Sequence, residues 1–140
     1  MDLGLKSRVA VVLAASSGIG RGIATVLAQE GCNLAICARD ASRLASVAEE
    51  IRTGTGVQVL AEVADVGNAG SLDKFFDQVF GVFGKVDILV NNSGGPPPGK
   101  SLDLKDGDYQ SAFDLVLMSV VRSCRRVVPS MVDNRWGRII

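Results

Sequence analysis

Short apolar runs alternate along this chain with longer stretches whose apolar residues recur every three or four positions. The runs predict strands over residues 8–14, 33–38, 57–63, 87–91 and 137–140, and the stretches between them predict helices. The first helix places Ile19, Ile23, Val26 and Leu27 on one face, and the third gathers Leu72, Phe75, Phe76, Val79, Phe80 and Phe83, read here as core. Gly31 and Gly84 fall where a helix should stop. A longer segment, from about residue 108 to 131, carries Phe113, Val116, Leu117, Val120, Val121, Cys124, Val127 and Val128 at helical spacing. That face is wide enough to touch both the sheet and a second subunit.

Strand and helix in steady alternation predict an α/β fold with a doubly wound parallel sheet. No repeat or second domain interrupts the pattern, so residues 1–140 read as one domain. The segment Gly94-Gly95-Pro96-Pro97-Pro98-Gly99 reads as a stiff loop. Gly137-Arg138-Ile139-Ile140 reads as the first half of a buried strand. The expectation is therefore that sequence is missing beyond Ile140 and that the domain is incomplete there.

Charge removes several classes of function. Lys+Arg (15) balance Asp+Glu (15), which leaves no electrostatic footprint for nucleic acid. No apolar run approaches ~18 residues, so no membrane span is expected. No signal-peptide core precedes the first strand. The chain has no His, and Cys32, Cys37 and Cys124 form no CxxC pair, so no metal site is expected. Scattered, apolar-flanked cysteines predict a reduced, cytoplasmic protein.

Candidate chemistry begins where the first strand ends. Leu13-Ala14-Ala15-Ser16-Ser17-Gly18-Ile19-Gly20 is a glycine turn between a β-branched run and a helix. That layout presents backbone N–H groups and a helix N-terminus to phosphate. Gly18 and Gly20 allow close approach of the backbone, and Ser16 and Ser17 add hydroxyl donors. A turn of this kind also serves mere tight packing; its place after the first strand favours a dinucleotide.

Arg39 follows the second strand, where an acid would bind a ribose 2′-OH and an arginine accommodates a 2′-phosphate. The strand-end pair is Ala38-Arg39, so NADP is favoured over NAD, against the alternative of a solvated surface arginine. Asp40, with Ala41 and Ser42 behind it, reads as a helix cap; Arg43, one helical turn on, could assist Arg39 but reads first as an exposed residue. Asp65 and Val66 follow the third strand. The carboxylate could accept from an adenine amino group while Val66 packs on the ring, or Asp65 could be a turn residue before Gly67 and Asn68. Asn91-Asn92-Ser93-Gly94 ends the fourth strand, where the asparagines can lock strands or line a cleft, and a mixed role is expected. Arg122, Arg125 and Arg126 share one helix face and read as a solvated or interface face.

Together these segments resemble the N-terminal part of a short-chain dehydrogenase/reductase, most of all the 3-oxoacyl-acyl-carrier-protein reductase branch. The resemblance rests on Ala15 to Gly20, Ala64-Asp65-Val66, Phe83 to Gly94, Pro129-Ser130-Met131 and Trp136 to Ile140. It implies a Rossmann fold, a nicotinamide cofactor and carbonyl/alcohol interconversion. It also implies a small-molecule carbonyl substrate, free or carried on acyl-carrier protein, and a homo-oligomer built through the long helix. The cofactor-binding residues are then Ser16, Ser17, Gly18, Ile19, Gly20, Arg39, Asp65, Val66, Asn92, Ser93 and Gly94.

The chain departs from the family at three places. Leu13-Ala14 stands for Thr-Gly, and Ala tolerates the glycine's backbone less freely. Ser93 stands for Ala. Val116 falls at the position of the family's catalytic Asn, and Val cannot hold the water such an Asn positions. The family's Ser and Tyr-x-x-x-Lys would lie beyond Ile140, so no catalytic residue is assigned. The leading reading is an NADP(H)-dependent short-chain oxidoreductase. A second is a catalytically silent dinucleotide-binding or assembly protein on the same fold, and a third, disfavoured by Arg39, Asp65 and the Asn pair, is a flavodoxin-like module.

Overall fold

A computed structural model describes residues 2–140 of the chain. Five parallel strands form one sheet: β1 (Val9–Val12), β2 (Asn33–Ala38), β3 (Val59–Val63), β4 (Ile88–Val90) and β5 (Arg138–Ile139). Their order is β3-β2-β1-β4-β5. The apolar runs on the inner strands are continuous because helices cover the sheet on both faces. On one face, α1 (Gly18–Gln29) and α2 (Ala41–Thr55) pack Ala24, Ala28, Leu44 and Val47 against Ala10, Val12, Leu34 and Ile36. On the other, α3 (Ala69–Phe83) and α5 (Ser119–Asp133) pack Leu72, Phe76, Val127 and Met131 against Val11, Ala35 and Leu89. This is the expected doubly wound α/β fold.

Local signals end the helices as expected. Asp40 caps α2, its side chain accepting from the Arg43 N–H, and Asn68 caps α3 through the Ser71 N–H. Gly84 closes α3 at φ 71°, and Gly31 turns the chain after α1 at φ 86°. Phe75 and Phe76 are buried, with Phe80 and Phe83 packed beside them.

Three expectations change. β2 spans its predicted run, whereas the other four strands are shorter than theirs, since the flanking residues turn into loops. In α1 the buried face is Gly20, Ala24 and Ala28, whereas Ile19 is 77% and Val26 56% exposed. Small residues let the helix lie close to the sheet, and this outranks the larger apolar stripe. β5 pairs with β4 through Ile88 and Leu89, and Ile139 and Ile140, the last residues of this chain, are exposed.

The long helix is also not one continuous α-helix. It runs as α4 (Asp106–Phe113), a π turn (Asp114–Met118) and α5. Val127 is buried on its inner side, while Phe113, Val116, Leu117 and Val128 are exposed. Among the described residues, no helix is long and apolar enough to cross a membrane.

Candidate functional site

The chain leaves β1 for α1 on one side of the sheet and crosses from β3 to β4 on the other. The crevice beyond the carboxyl ends of these strands is where open α/β sheets bind ligands. A cleft of about 410 Å³ lies there. It gathers Ala14, Ser16, Ser17 and Ile19 from the first turn; Ala38, Arg39, Asp40 and Arg43 from the second; Ala64, Asp65 and Val66 from the third; Asn92, Ser93 and Gly94 after β4; and Leu115 from the π turn.

The first turn keeps its form despite Ala14. That residue sits at φ 50°, in the left-handed region, at a cost of roughly 1–2 kcal/mol. Its neighbours hold it there: Leu13 N–H donates to the Val90 carbonyl at 3.2 Å, and Ala15 N–H to the Cys37 carbonyl at 2.9 Å. The Asn92 amide donates to the carbonyls of Leu13 and Ala14, each at 3.2 Å, so Asn92 both ties β4 to the turn and lines the cleft. Gly18 supplies the second left-handed residue, at φ 54°. Gly18 and Gly20 shape the cleft without lining it.

The N-terminus of α1 opens into this space. Ser17 is its N-cap residue with extended backbone, its hydroxyl makes no capping bond, and the first turn carries no acidic residue. The first-turn N–H groups are therefore not claimed by a cap, and no carboxylate competes with an anion there. Beneath the turn, burial pushes the Cys37 thiol up to about 12, the Ala14 backbone offsetting only part of this, so Cys37 is no nucleophile at working pH.

At the second strand end Arg39 is exposed and borders the cleft. Asp40 also borders it, but one of its oxygens accepts from the Arg43 N–H at 2.9 Å and the Ser42 hydroxyl at 3.0 Å. Those hydrogen bonds hold its carboxyl below the usual range. Arg43, weighed from sequence as an assistant to Arg39 or a plain exposed residue, lines the cleft as well, with Nε 3.7 Å from Asp40.

Asp65 takes part in a turn and lines the cleft at once. It accepts from the Gly67 N–H at 2.9 Å, while its own N–H donates to the Ser71 hydroxyl at 2.9 Å. Val66 is buried beside it. Asn91 points elsewhere: its N–H donates to the Ile140 carbonyl at 2.7 Å, and its side-chain oxygen is buried without a partner. Arg122 and Arg126 lie apart from the cleft, paired with Asp114 and with Asp73 and Asp77.

Sequence reasoning missed Leu115. Helical periodicity puts Val116 and Leu117 on the apolar face, but the π turn adds a residue and rotates that register. Leu115 faces the cleft, and Val116 is 49% exposed. Nothing in the apolar pattern marks a π turn.

A family model described as short chain dehydrogenase matches residues 8–140. L-sorbose reductase from Gluconobacter frateurii, solved with NADPH and L-sorbose, superposes with TM-score 0.96 at 36% identity, over 99% of this chain and 53% of that one. An alcohol dehydrogenase from Thermococcus sibiricus, complexed with 5-hydroxy-NADP, superposes with TM-score 0.89 at 31% identity, over 96% of this chain and 57% of that one. The 3-oxoacyl-[acyl-carrier-protein] reductase FabG of Staphylococcus epidermidis is 35% identical over 135 residues, 96% of this chain and 55% of the relative. The chain thus spans about half the length of the relatives it matches.

Proposed function

The chain belongs to the short-chain dehydrogenase family, and from that footing we propose that its cleft binds NADP(H) in preference to NAD(H), in the service of carbonyl/alcohol interconversion. The observation that carries the preference is the second strand end. Arg39 and Arg43 border the cleft there, Ala38 stands where an acid would select NAD, and Asp40 is committed to capping α2. Two structural neighbours, the L-sorbose reductase and the archaeal alcohol dehydrogenase, carry NADPH and an NADP derivative.

The residues fit such a cofactor. The uncapped first turn of α1, from Gly18 through Ile19 to Gly20, with Ser16 and Ser17, would take the pyrophosphate. Arg39, assisted by Arg43, would take the 2′-phosphate. Asp65 and Val66 would hold the adenine, and Asn92, Ser93 and Gly94 would line the path toward the nicotinamide. When bound, the nicotinamide supplies or accepts hydride. The chain's own part in this reading is to bind and orient. Its one tyrosine, Tyr109, has Phe113 four residues on, so no Tyr-x-x-x-Lys pair stands within these 140 residues.

The substrate in this reading is a small carbonyl compound; the relatives include a sugar reductase and an acyl-carrier-protein-linked reductase. A catalytically silent binder is the second reading, and Val116 at the family's Asn position favours it.

The cofactor preference has a direct test. NADPH and NADH are titrated into the 140-residue chain and into Arg39→Ala. The exposed Arg39–phosphate contact should be worth about 1.5 kcal/mol, roughly tenfold in affinity for NADPH and little for NADH. Equal affinities for the two cofactors in wild type would overturn the proposal.

Assembly belongs to the same reading. Phe113, Leu117 and Val128 leave apolar surface exposed along the α4–α5 helix, the face on which copies of the chain would pair. Light scattering of the full-length protein should give more than the monomer mass for wild type and a smaller species for Val120→Glu. A monomeric wild type at micromolar concentration counts against it.

A further inference from the structure

The π turn between α4 and α5 is tied by side chains on both flanks. Asp114, its first residue, accepts from Arg122 Nη2 at 3.0 Å and from Gln110 Nε2 at 3.2 Å. The Ser119 N–H reaches the Asp114 carbonyl, five residues back, and the buried Ser119 hydroxyl donates to the Leu115 carbonyl at 2.7 Å. A π turn inserts one residue into the helical ladder, and such turns are frequent at functional sites. Arg122 is only 24% exposed, and its Nη1 is buried without an acceptor. An unsatisfied guanidinium corner is costly, so stability alone does not account for this arginine.

The turn has a local consequence. An uninterrupted α-helix would rotate the residues that follow by about 100° relative to their present positions. With the π turn, Leu115 faces the cleft while Val116 and Leu117 point outward. Leu115 Cδ1 lies 3.7 Å from where a Cβ on Gly67 would stand, and the Gly67 N–H is bonded to Asp65. Leu115 therefore abuts the loop that carries Asp65 and Val66.

We infer that the Asp114–Arg122 pair holds the π turn in the register that seats Leu115 against the Asp65–Val66–Gly67 loop, and so sets the shape of the base-binding end of the cleft. Asp114 and Arg122 are positioning residues in this account; neither lines the cleft. The inference rests on the NADP(H) reading above, and it assigns to these two residues an effect on adenine-bearing ligands alone.

The experiment uses the 140-residue chain and two probes, 2′,5′-ADP and inorganic pyrophosphate, titrated by calorimetry alongside thermal melts and amide NMR spectra. Arg122→Met should weaken 2′,5′-ADP about fivefold, leave pyrophosphate unchanged and shift the Gly67 amide resonance. The charge swap Asp114→Arg with Arg122→Asp should bring 2′,5′-ADP binding back to within about twofold of wild type. Should Arg122→Met fold poorly, Arg122→Lys, which keeps the charge, should sit between wild type and Met on the same readout. Unchanged 2′,5′-ADP binding in Arg122→Met overturns the inference and leaves the NADP(H) reading standing. So does a parallel loss of both probes with a lower Tm, which would mark a merely structural pair. A wild type that takes pyrophosphate but not 2′,5′-ADP overturns the NADP(H) reading, and the inference with it.

Discussion

Gly20→Ala should lower stability by about 2 kcal/mol and weaken NADPH binding at least tenfold, although alanine is the better helix former. The reason is room. A Cβ at Gly20 would stand 2.5 Å from the Ala14 carbonyl oxygen and 2.7 Å from Asn92 Nδ2. Both atoms are fixed. Ala14 already occupies a strained left-handed conformation, and the Asn92 amide is bonded to that same carbonyl. Relief requires the turn to move away from α1, which breaks the Asn92 tie and displaces the first-turn N–H groups that, in the proposed reading, would hold the pyrophosphate. Gly22→Ala is the control: it lies on the same helix, with nothing within 4 Å of the added methyl, and should stabilise by about 0.5–1 kcal/mol. Urea unfolding and NADPH titration on both variants check the pair of signs. A Gly20→Ala protein as stable and as tight-binding as wild type would show that the turn is not packed as described.

Gly20 also marks how far the sequence could be read. The alternation of apolar runs and helical stripes was sufficient for the layered architecture, and the glycine turn located the cleft. Asp40 as a cap and Asn92 as a tie that also lines the cleft follow from residue chemistry at strand and helix ends. What periodicity hid depends on distances between elements. The close approach of α1 is set by Gly20, Ala24 and Ala28, so Ile19 and Val26, the larger apolar residues, are left outside. Arg43 borders the cleft because Asp40 directs the start of α2 past it. Leu115 enters the cleft because of one extra residue in a helical turn, to which a stripe of apolar residues is blind.

A charge in the core was equally invisible to the apolar pattern, and its removal is the other large expected effect. Asp87 opens the fourth strand segment, is 1% exposed, and fastens the amino ends of β1 and β4. Its carboxylate accepts from the Val9 N–H at 2.8 Å, from Lys85 Nζ at 2.8 Å and from Arg8 at 3.3 Å. Arg8 in turn lies 3.9 Å over the Trp136 ring, which extends the tie to the start of β5. Asp87→Ala leaves the Val9 N–H buried without an acceptor and two cations without their counter-charge. Breaking a buried pair costs about 3–5 kcal/mol; Arg8 and Lys85 are about a third exposed and rehydrate, so the cost should fall near 3 kcal/mol. The pH dependence has a definite sign. Burial pushes the Asp87 carboxyl up, but the Lys85 and Val9 hydrogen bonds and the charges of Lys85 and Arg8 outweigh it and hold it below its ordinary value. A depressed folded value means that the stabilisation is present above the unfolded carboxylate value, about 3.9, and is lost as pH falls through the folded one. Wild type should therefore lose stability steeply below about pH 4, while Asp87→Asn, less stable at neutral pH, should show a shallower acid decline. Because β1 and β4 run from this tie to Leu13 and Asn92, the variant should also bind NADPH more weakly with Arg39 untouched. Urea midpoints measured from pH 7 down to pH 2 decide the matter: parallel curves for wild type and Asp87→Asn would mean that this carboxylate does not set the acid limit of the fold.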